Sequence, residues 1–192
     1  DQQENTEVFT TTEAVFSPSL ETNIEWSPES HKLIIPLVQD NQPTYTIVTI
    51  ETKEHFSLGD VAQVTAPIRS PRWDATTRDF LFFLSGQSLY RYDTRSTNEP
   101  ASLVAENVAT YDLSGNKLYY LKDDGLVYEI NGNGNDSNPT RITTTPLSIA
   151  LENPYSLIVY DDTRLSIIEE HTGTLFVFNK KAEVERALAS GK

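Results

Sequence analysis

The fold is decided by a stretch of mixed character at Phe80–Asp93, which reads FLFFLSGQSLYRYD. An almost continuous apolar run comes first, a short polar turn with a glycine follows, and a second run then alternates between apolar and polar residues. Two strands joined by such a turn form a β-hairpin. The continuous run is typical of a strand buried on both faces, whereas the alternating run is typical of a strand with one wetter face.

The same hairpin pattern recurs along the chain. Further copies lie at Lys117–Asn131 and Arg164–Asn179, and a looser copy with a longer polar loop lies at Lys32–Thr52. The equivalent leucines, separated by 48, 37 and 47 residues, are Leu33, Leu81, Leu118 and Leu165. These spacings are close to the roughly 40–50 residues of one four-stranded propeller blade.

Further strand-like segments flank each hairpin. The apolar segments that break at a polar turn before each hairpin are Ile24–Ser30, Arg72–Thr77, Asn107–Asn116 and Tyr155–Thr163. Outer strands are predicted at His55–Leu58, Ala101–Ala105 and Arg141–Thr144. Pro36 lies inside the first strand of the looser copy, where its missing N–H predicts weaker pairing or a bulge. The pattern predicts a helix only at Ala182–Ala189.

The repeat predicts an all-β fold, a propeller-like array of about four blades, each a four-stranded antiparallel sheet. Blades that pack face to face around an axis bury their inner strands on both sides, as the apolar runs require. A β-sandwich is the alternative, because two stacked sheets would give a similar pattern. We expect an N-terminal segment at 1–21, a propeller-like domain at 22–181 and a short C-terminal tail at 182–192.

The last copy shows no obvious outer strand after Asn179. In one interpretation Glu7–Thr11 supplies that strand and closes the array. In the other, the chain is a segment of a larger propeller, which would expose blade faces and self-associate. The chain contains no Met, even at position 1, and we take this to favour the segment.

The composition excludes several classes of partner and site. The 192-residue chain carries a net charge of −13, which repels phosphate backbones and anionic lipid, so no nucleic-acid partner is expected. There is no Cys, which excludes disulfides, thiolate metal sites and a Cys nucleophile. No stretch approaches the ~20 apolar residues that a membrane-spanning helix needs.

A search for catalytic and metal-binding residues finds none that we would assign. The histidines lack metal-ligand spacing and are expected at the surface; they are His31, His55 and His171. Neighbouring strand residues point to opposite faces, so the adjacent acids are not a glycosidase pair; they are Asp123–Asp124, Asp161–Asp162 and Glu169–Glu170. With Gly125, the first pair predicts a turn. No catalytic, cofactor-binding or metal-binding residue is therefore predicted, and no cofactor.

Two other features of the sequence are candidate binding sites. The segment Asn131–Asp136 is superficially like a calcium loop, but it offers a single carboxylate, and a flexible turn is the better interpretation. Trp73 with neighbouring tyrosines would suit a sugar or peptide platform, although aromatic residues in strands usually serve core and cross-strand packing. The strand tyrosines are Tyr90, Tyr92, Tyr119, Tyr120 and Tyr128.

Two motifs resemble known propeller repeats. Trp26–Leu33, WSPESHKL, resembles the Trp-Ser-Pro-Asp-Gly-x-x-Leu signature of TolB-type blades, with Glu29–Ser30 replacing Asp-Gly. Asp136–Thr143 resembles a turn of YWTD-type and related bacterial repeats, without its glycine. The resemblance implies a propeller fold and, by family analogy alone, a location in the cell envelope or outside the cell.

The expected function is a non-enzymatic binding or scaffold module with a protein or carbohydrate partner, since no catalytic constellation appears and propeller loops commonly bind partners. One alternative is a propeller glycoside hydrolase or lyase whose acids converge only in three dimensions. The other is a structural segment that completes a larger propeller.

Overall fold

The structure, a computed structural model, describes residues 7–12, 14–16, 24–96, 98–131, 138–161, 163–179 and 184–188. Within these ranges the regular structure is β strand apart from one short helix, α1 (Leu58–Ala62). The strands are β1 (Val15–Phe16), β2 (Glu25–Trp26), β3 (Lys32–Gln39), β4 (Gln42–Thr49), β5 (His55–Ser57), β6 (Ile68–Trp73), β7 (Phe80–Ser85), β8 (Ser88–Asp93), β9 (Ser102–Glu106), β10 (Val108–Ser114), β11 (Lys117–Lys122), β12 (Val127–Asn131), β13 (Thr140–Arg141), β14 (Tyr155–Asp161), β15 (Arg164–Glu169), β16 (Thr174–Asn179) and β17 (Val184–Leu188). The predicted all-β class is confirmed.

The described strands form four antiparallel sheets that repeat one order. The second, third and fourth sheets run β6–β7–β8–β9, β10–β11–β12–β13 and β14–β15–β16–β17, and the first runs β1–β3–β4–β5 with β2 also on β3. The predicted hairpins are confirmed, and so are the outer strands at β5 and β9, whereas β13 (Thr140–Arg141) overlaps the predicted Arg141–Thr144 only at Arg141. The four equivalent leucines are all buried, and they pair across strands with Trp26, Trp73, Leu113 and Val159.

Pro36 does not create the predicted bulge. It pairs with Tyr45 in a β3–β4 ladder that runs from Lys32 to Gln39 without a register shift. On the other edge of β3, however, β2 pairs with Leu33 and Ile34, and β1 pairs with Leu37 and Val38. The described partner strands on that edge therefore flank Pro36, which is consistent with a residue that has no N–H to donate.

The chain divides into two compact units. The first comprises Asp1–Trp73, Arg78–Gly86 and Tyr90–Ser102, and the second comprises Asp74–Thr77, Gln87–Leu89 and Leu103–Lys192. In the first unit, one core joins the first two sheets with α1; its buried members are Ile34, Tyr45, Ile47, Leu58, Ala62, Ile68, Trp73, Leu81, Phe83 and Tyr92. A second cluster there covers the other face of the first sheet; it contains Leu33, Ile35, Leu37 and Val48, with Val8, Phe9, Ala14 and Ile50 packed against it.

The second unit has its own core between the third and fourth sheets. Its buried members are Ala109, Tyr119, Leu121, Val127, Leu147, Tyr155, Leu157, Leu165, Ile167 and Phe178. In both units the first strands of the hairpins are buried along most of their length, as the continuous apolar runs predict. Among the described residues no helix combines the length and the apolar character that a membrane crossing requires.

The C-terminal prediction of a helix is wrong. β17 (Val184–Leu188) pairs antiparallel with β16, from Leu175 opposite Leu188 to Asn179 opposite Val184. β17 thus takes the outer position of the fourth sheet, and Glu7–Thr11, which was considered for it, contains no strand. Helix propensity is a weak preference, and the open edge of β16 offers a row of backbone hydrogen-bonding groups that outweighs it.

Candidate functional site

The two faces of the fourth sheet differ in what covers them. Strand alternation places Leu157 and Ile167 on the face that belongs to the core of the second unit. On the opposite face Ile158 pairs with Ser166, which pairs in turn with Val177. We call this second surface the open face; it consists of Ser156, Ile158, Tyr160, Ser166, Ile168, Leu175 and Val177.

The open face has an uncharged centre and is partly exposed, and Arg164 and Glu170 continue the same face of β15 at its two ends. Ile158 is 39% exposed and Tyr160 is 63% exposed, whereas Ile168, Leu175 and Val177 are half-buried. A register shift between Val159 and Asp161 places Tyr160 at a bulge, and its hydroxyl lies 3.5 Å from Ser166 Oγ. A contiguous apolar surface of this kind on a folded unit is typical of an interaction site.

An ion pair lies beside the bulge. Arg164 Nη2 donates to Asp161 Oδ2 at 2.6 Å, and Asp161 Oδ1 accepts from the backbone N–H groups of Thr163 and Arg164. The Arg164 guanidinium and the Thr163 hydroxyl hold the pKa of Asp161 well below its usual range. Asp161 is therefore the carboxylate that organises this turn, which leaves it no role as a proton donor near pH 7.

A cleft of about 250 Å³ lies at one end of the fourth sheet, on its core side. The loop before β14 supplies one wall, and the β15–β16 turn supplies the other. The residues that line it are Ser148, Ile149, Ala150, Asn153, Tyr155, Glu169, Thr172, Thr174 and Phe176. The loop is held by the N–H of Ala150, which donates to the Tyr155 hydroxyl at 3.1 Å, and by Asn153 N, which donates to Ala150 O at 2.9 Å.

Glu169 is the one acidic residue of this cleft. It is 7% exposed, and its Oε2 accepts from the Thr172 hydroxyl and from Thr172 N–H at 3.0 Å. The Thr172 hydroxyl lowers the pKa of Glu169, with further help from the backbone N–H groups of Thr172 and His171. Oε1 is buried and has no hydrogen-bond partner among the described residues.

The first unit has a groove of about 270 Å³ between the β4 hairpin end and the segment after α1. Gln42, Tyr45, Ser57, Asp60 and Pro67 are among its lining residues. Its walls mix backbone, hydroxyl and apolar groups, and Asp60 is its single charged residue. The groove presents no convergent pair of acid and base groups and gives no chemistry to assign.

Among the histidines and acids of the sequence analysis, His171 follows Glu169 and Glu170 at the β15–β16 turn and acts on the charge of Glu169. All three histidines are exposed, as predicted. The acids Asp123 and Asp124 lie in the β11–β12 turn, where Asp124 accepts from Leu126 N at 2.9 Å, and Glu170 accepts from the Ser156 hydroxyl. No group of three His, Asp or Glu side chains among the described residues could hold a metal ion.

The remaining candidates of the sequence analysis lie either in the buried core or outside the described residues. Trp73 is buried and donates through Nε1 to Glu25 O at 3.3 Å, so it is not available as a platform. Tyr92, Tyr119 and Tyr120 are buried, and Tyr120 stacks on Tyr128 with ring centroids 5.7 Å apart. Asp162 and residues 132–136 of the Asn131–Asp136 segment, with its one carboxylate, lie outside the described residues.

Glu169 is not among the site residues predicted from the sequence, because two adjacent acids in a strand point to opposite faces and do not form a catalytic pair. The signal that would have found it is the alternation of β15, in which Leu165, Ile167 and Glu169 share one face. Leu165 and Ile167 are fully buried, so the alternation predicts a carboxylate on the core face at the end of the strand. A buried carboxylate needs hydrogen-bond partners or a counter-charge, which makes this position unusual.

No protein-family model matches the chain. No curated protein matches it by sequence either. Solved structures do match by fold, and the similarity to each is restricted to the fold because sequence identity is low.

YCF48 from Cyanidioschyzon merolae is 10% identical, with a TM-score of 0.58 over 96% of this chain and 59% of that chain. The N-terminal domain of Nup159 is 13% identical, with a TM-score of 0.54 over 82% of this chain and 44% of that chain. A chain from the S. cerevisiae complex of Dbp5 bound to Nup159, Gle1, IP6 and ADP is 14% identical, with a TM-score of 0.51 over 76% and 42%.

The chain thus spans between 42% and 59% of the length of these three solved chains. The solved chains are β-propellers, and the present chain has their antiparallel sheets in repeated order. Its fold is therefore a β-propeller-like array of blades, the class that the hairpin repeat predicts.

Proposed function

We propose that the protein is a non-enzymatic interaction module with TolB-like propeller blades, which works in the cell envelope or outside the cell. It binds protein by packing a sheet against the open face of the fourth sheet. The fold supports a scaffold role, because propellers offer rigid sheets whose surfaces and loops bind partners. One of the similar chains comes from a multiprotein complex.

The observation that carries the proposal is the open face itself. Ile158 and Tyr160 are exposed there, while the corresponding surface of the first sheet, which carries Ile34 and Ile47, is buried in the core that joins it to the second sheet. Burial of apolar surface yields about 25 cal/mol per Å², so covering the open face would stabilise a complex. The opposite face of the same sheet shows how this happens, since it already packs against the third sheet.

The occupant that we assign to the open face is a second copy of the chain. A twofold interface brings the same patch of both copies together, so the patch must be self-complementary. The centre of the open face meets that condition because it is uncharged, although the whole chain carries −13. At its two ends Arg164 and Glu170 bear opposite charges, which a twofold contact could pair. Like-charge repulsion between two copies therefore acts outside the contact and is weakened by salt.

Light scattering after size-exclusion chromatography tests this proposal. We expect twice the chain mass for the wild type, and the chain mass for Ile158→Lys, because two lysines would face each other in the contact. Leu103→Lys is the matched control. Leu103 is, like Ile158, an exposed aliphatic side chain, with 52% exposure, but it lies on β9 and not on the open face. A wild type that stays monomeric at all concentrations, or a dimer that Ile158→Lys leaves intact, would overturn the proposal.

The non-enzymatic and extracytoplasmic parts of the proposal need their own tests. Support for the first is that neither described cleft brings an acid and a base together: Glu169 is the one charged residue of the cleft in the second unit, and Asp60 is that of the groove in the first. Turnover of a glycoside substrate that is lost on mutation of an acid would replace it with the hydrolase alternative. Support for the location is the TolB-like Trp26–Leu33 motif, and fractionation of cells that express the full-length protein checks it. Recovery in the cytoplasm alone would contradict it.

A further inference from the structure

A buried carboxylate oxygen without a partner marks the cleft of the second unit. Glu169 is 7% exposed, and its Oε1 has no hydrogen-bond partner among the described residues. Leaving a buried polar group unpaired costs about 1–3 kcal/mol, and more for a charged group. A donor supplied from outside would recover that cost, and Glu169 is part of the wall of an open cleft.

The neighbouring donors are already directed to the other oxygen. Thr172 donates to Oε2 through both its hydroxyl and its N–H, and its hydroxyl lies 2.8 Å from that of Thr174. The turn is further closed by Gly173 N, which donates to Glu169 O at 2.9 Å. The β15–β16 turn therefore holds the Glu169 carboxylate in place and gives Oε1, which is buried, no hydrogen-bond partner among the described residues.

The size and walls of the cleft define what can enter. Its volume of about 250 Å³ is below the ~300–1,000 Å³ of typical small-molecule pockets, so it suits one side chain and not a larger ligand. Ile149, Ala150 and Phe176 offer apolar surface for a methylene stem. Lysine and arginine side chains bury such stems along apolar surface while their charged ends find polar partners.

The charge of the occupant follows from the lining. Glu169 is the single ionisable carboxylate there, and no Lys or Arg is among the lining residues. A metal ion would need several ligating side chains, and no group of three is present among the described residues. A cationic N–H group needs only an acceptor and a counter-charge, both of which Glu169 provides. The net charge of −13 adds long-range attraction for cations.

We infer that this cleft binds a cationic side chain, an ammonium or guanidinium group, which donates to Oε1 of Glu169 and lays its stem against Ile149 and Phe176. That a protein partner carries this side chain rests on the proposed function, whereas cation binding by the cleft does not. The cleft lies on the core side of the fourth sheet, and the proposed dimer contact lies on its open face.

Titration followed by amide chemical shifts tests the inference on the full-length protein. The probes are Nα-acetyl-arginine amide and Nα-acetyl-lysine amide, with the neutral isostere Nα-acetyl-citrulline amide as control. We expect saturable shifts at Ser148–Asn153 and Thr172–Thr174 with one or both cationic probes and none with citrulline. Whether arginine or lysine binds more tightly distinguishes a guanidinium from an ammonium site.

Three variants decide which side chains are responsible. Glu169→Gln keeps the shape, removes the charge and should weaken binding at least tenfold. Glu170→Gln makes the same charge change on the exposed neighbour and should leave binding within twofold of the wild type. Ser148→Trp, at an exposed loop position, should block the cleft without touching Glu169, so it tests the site even if Glu169→Gln does not fold.

Shifts that are absent, that also occur with citrulline, or that Glu170→Gln reduces as much as Glu169→Gln would overturn the inference. These outcomes are independent of the dimer test, because Ile158→Lys leaves the cleft intact. Cation binding by the monomeric Ile158→Lys protein would support the cleft even if the open face has no partner.

Discussion

The carboxylate of Asp112 accepts a hydrogen bond from the backbone N–H of Val159 at 2.8 Å, which links β10 of the third sheet to β14 of the fourth. Asp112 is buried, and its other oxygen accepts from Leu113 N at 2.9 Å. β14 is an edge strand, so every second N–H along it faces away from β15 and needs another partner. Asp112 provides that partner for Val159.

The first prediction concerns this link. Asp112→Ala leaves the N–H groups of Val159 and Leu113 without their acceptor, and we expect the free energy of unfolding to fall by about 2–4 kcal/mol. Asp112→Asn retains one acceptor oxygen and should cost less. Urea denaturation with linear extrapolation measures both. Glu152→Ala, which removes an exposed acid, should stay within about 0.5 kcal/mol of the wild type; an equal loss in both would refute the role of Asp112.

The second prediction concerns the β11–β12 turn. Gly125 has φ +77°, and a Cβ there would overlap the backbone of Leu147. We expect Gly125→Ala to destabilise the protein by more than about 3 kcal/mol, because it combines left-handed strain with a clash that backbone must relieve. Gly115→Ala is the control, since Gly115 has φ +59° but nothing within 4 Å of its Cβ position. Its cost should be about 1–2 kcal/mol, and thermal melting that ranked the two equally would exclude the clash.

The third prediction concerns a lysine in the first unit. Lys32 Nζ donates to Asp79 Oδ1 at 3.2 Å, to Thr94 Oγ1 at 2.8 Å and to Thr94 O at 3.0 Å, and its side chain is 16% exposed. Lys32→Met keeps the stem and removes these bonds, and we expect a loss of about 1.5–3 kcal/mol.

Urea denaturation at low and high salt checks the lysine prediction. The loss should persist in 1 M salt, since salt at this concentration screens exposed charges over about 3 Å but acts less on a partly buried group. The exposed Lys53→Met is the control and should change little. A loss that disappears in salt would show that only a surface charge effect was removed.

The fourth prediction concerns the pKa of a buried tyrosine. Burial, together with Tyr128 and Asp124, raises the pKa of Tyr120 to about 12. In the unfolded chain the same phenol ionises near pH 10, so between these values the unfolded state loses a proton that the native state keeps. The contribution of the Tyr120 phenol to the free energy of unfolding is therefore fully present below pH 10, and it is lost as the pH rises toward 12.

Absorbance at 295 nm during a pH titration reports the ionisation of Tyr120. Tyr120→Phe should remove one late-titrating phenol and reduce the alkaline fall in the free energy of unfolding. A Tyr120→Phe protein whose absorbance curve loses a phenol that ionises near pH 10, and keeps the late-titrating one, would contradict a raised pKa at Tyr120.

Local patterns predicted the elements because local chemistry forms them. Asp123–Gly125 predicts a turn, since glycine adopts the positive φ that the turn requires, and Phe80–Leu84 predicts a buried strand from its composition. The prediction failed at Ala182–Ala189, where residues with helix propensity form β17, because the deciding factor was the edge of another strand. At Pro36 no bulge forms, and the described pairing is instead interrupted on one edge of β3, where β1 and β2 flank the proline. The sequence does not specify which edge of the strand the missing N–H would face.

The sequence by itself determined the hairpin repeat, the four leucines on which the copies align and the acidic charge, because period, turn residues and composition act within a few residues. Only the tertiary structure decided that Oε1 of Glu169 has no hydrogen-bond partner among the described residues, that Asp112 meets Val159, and that one face of the fourth sheet is open. Each of these depends on segments distant in sequence that approach one another on folding. The residue pattern of a single strand does not specify which distant side chain or which other sheet that strand will contact in the folded protein.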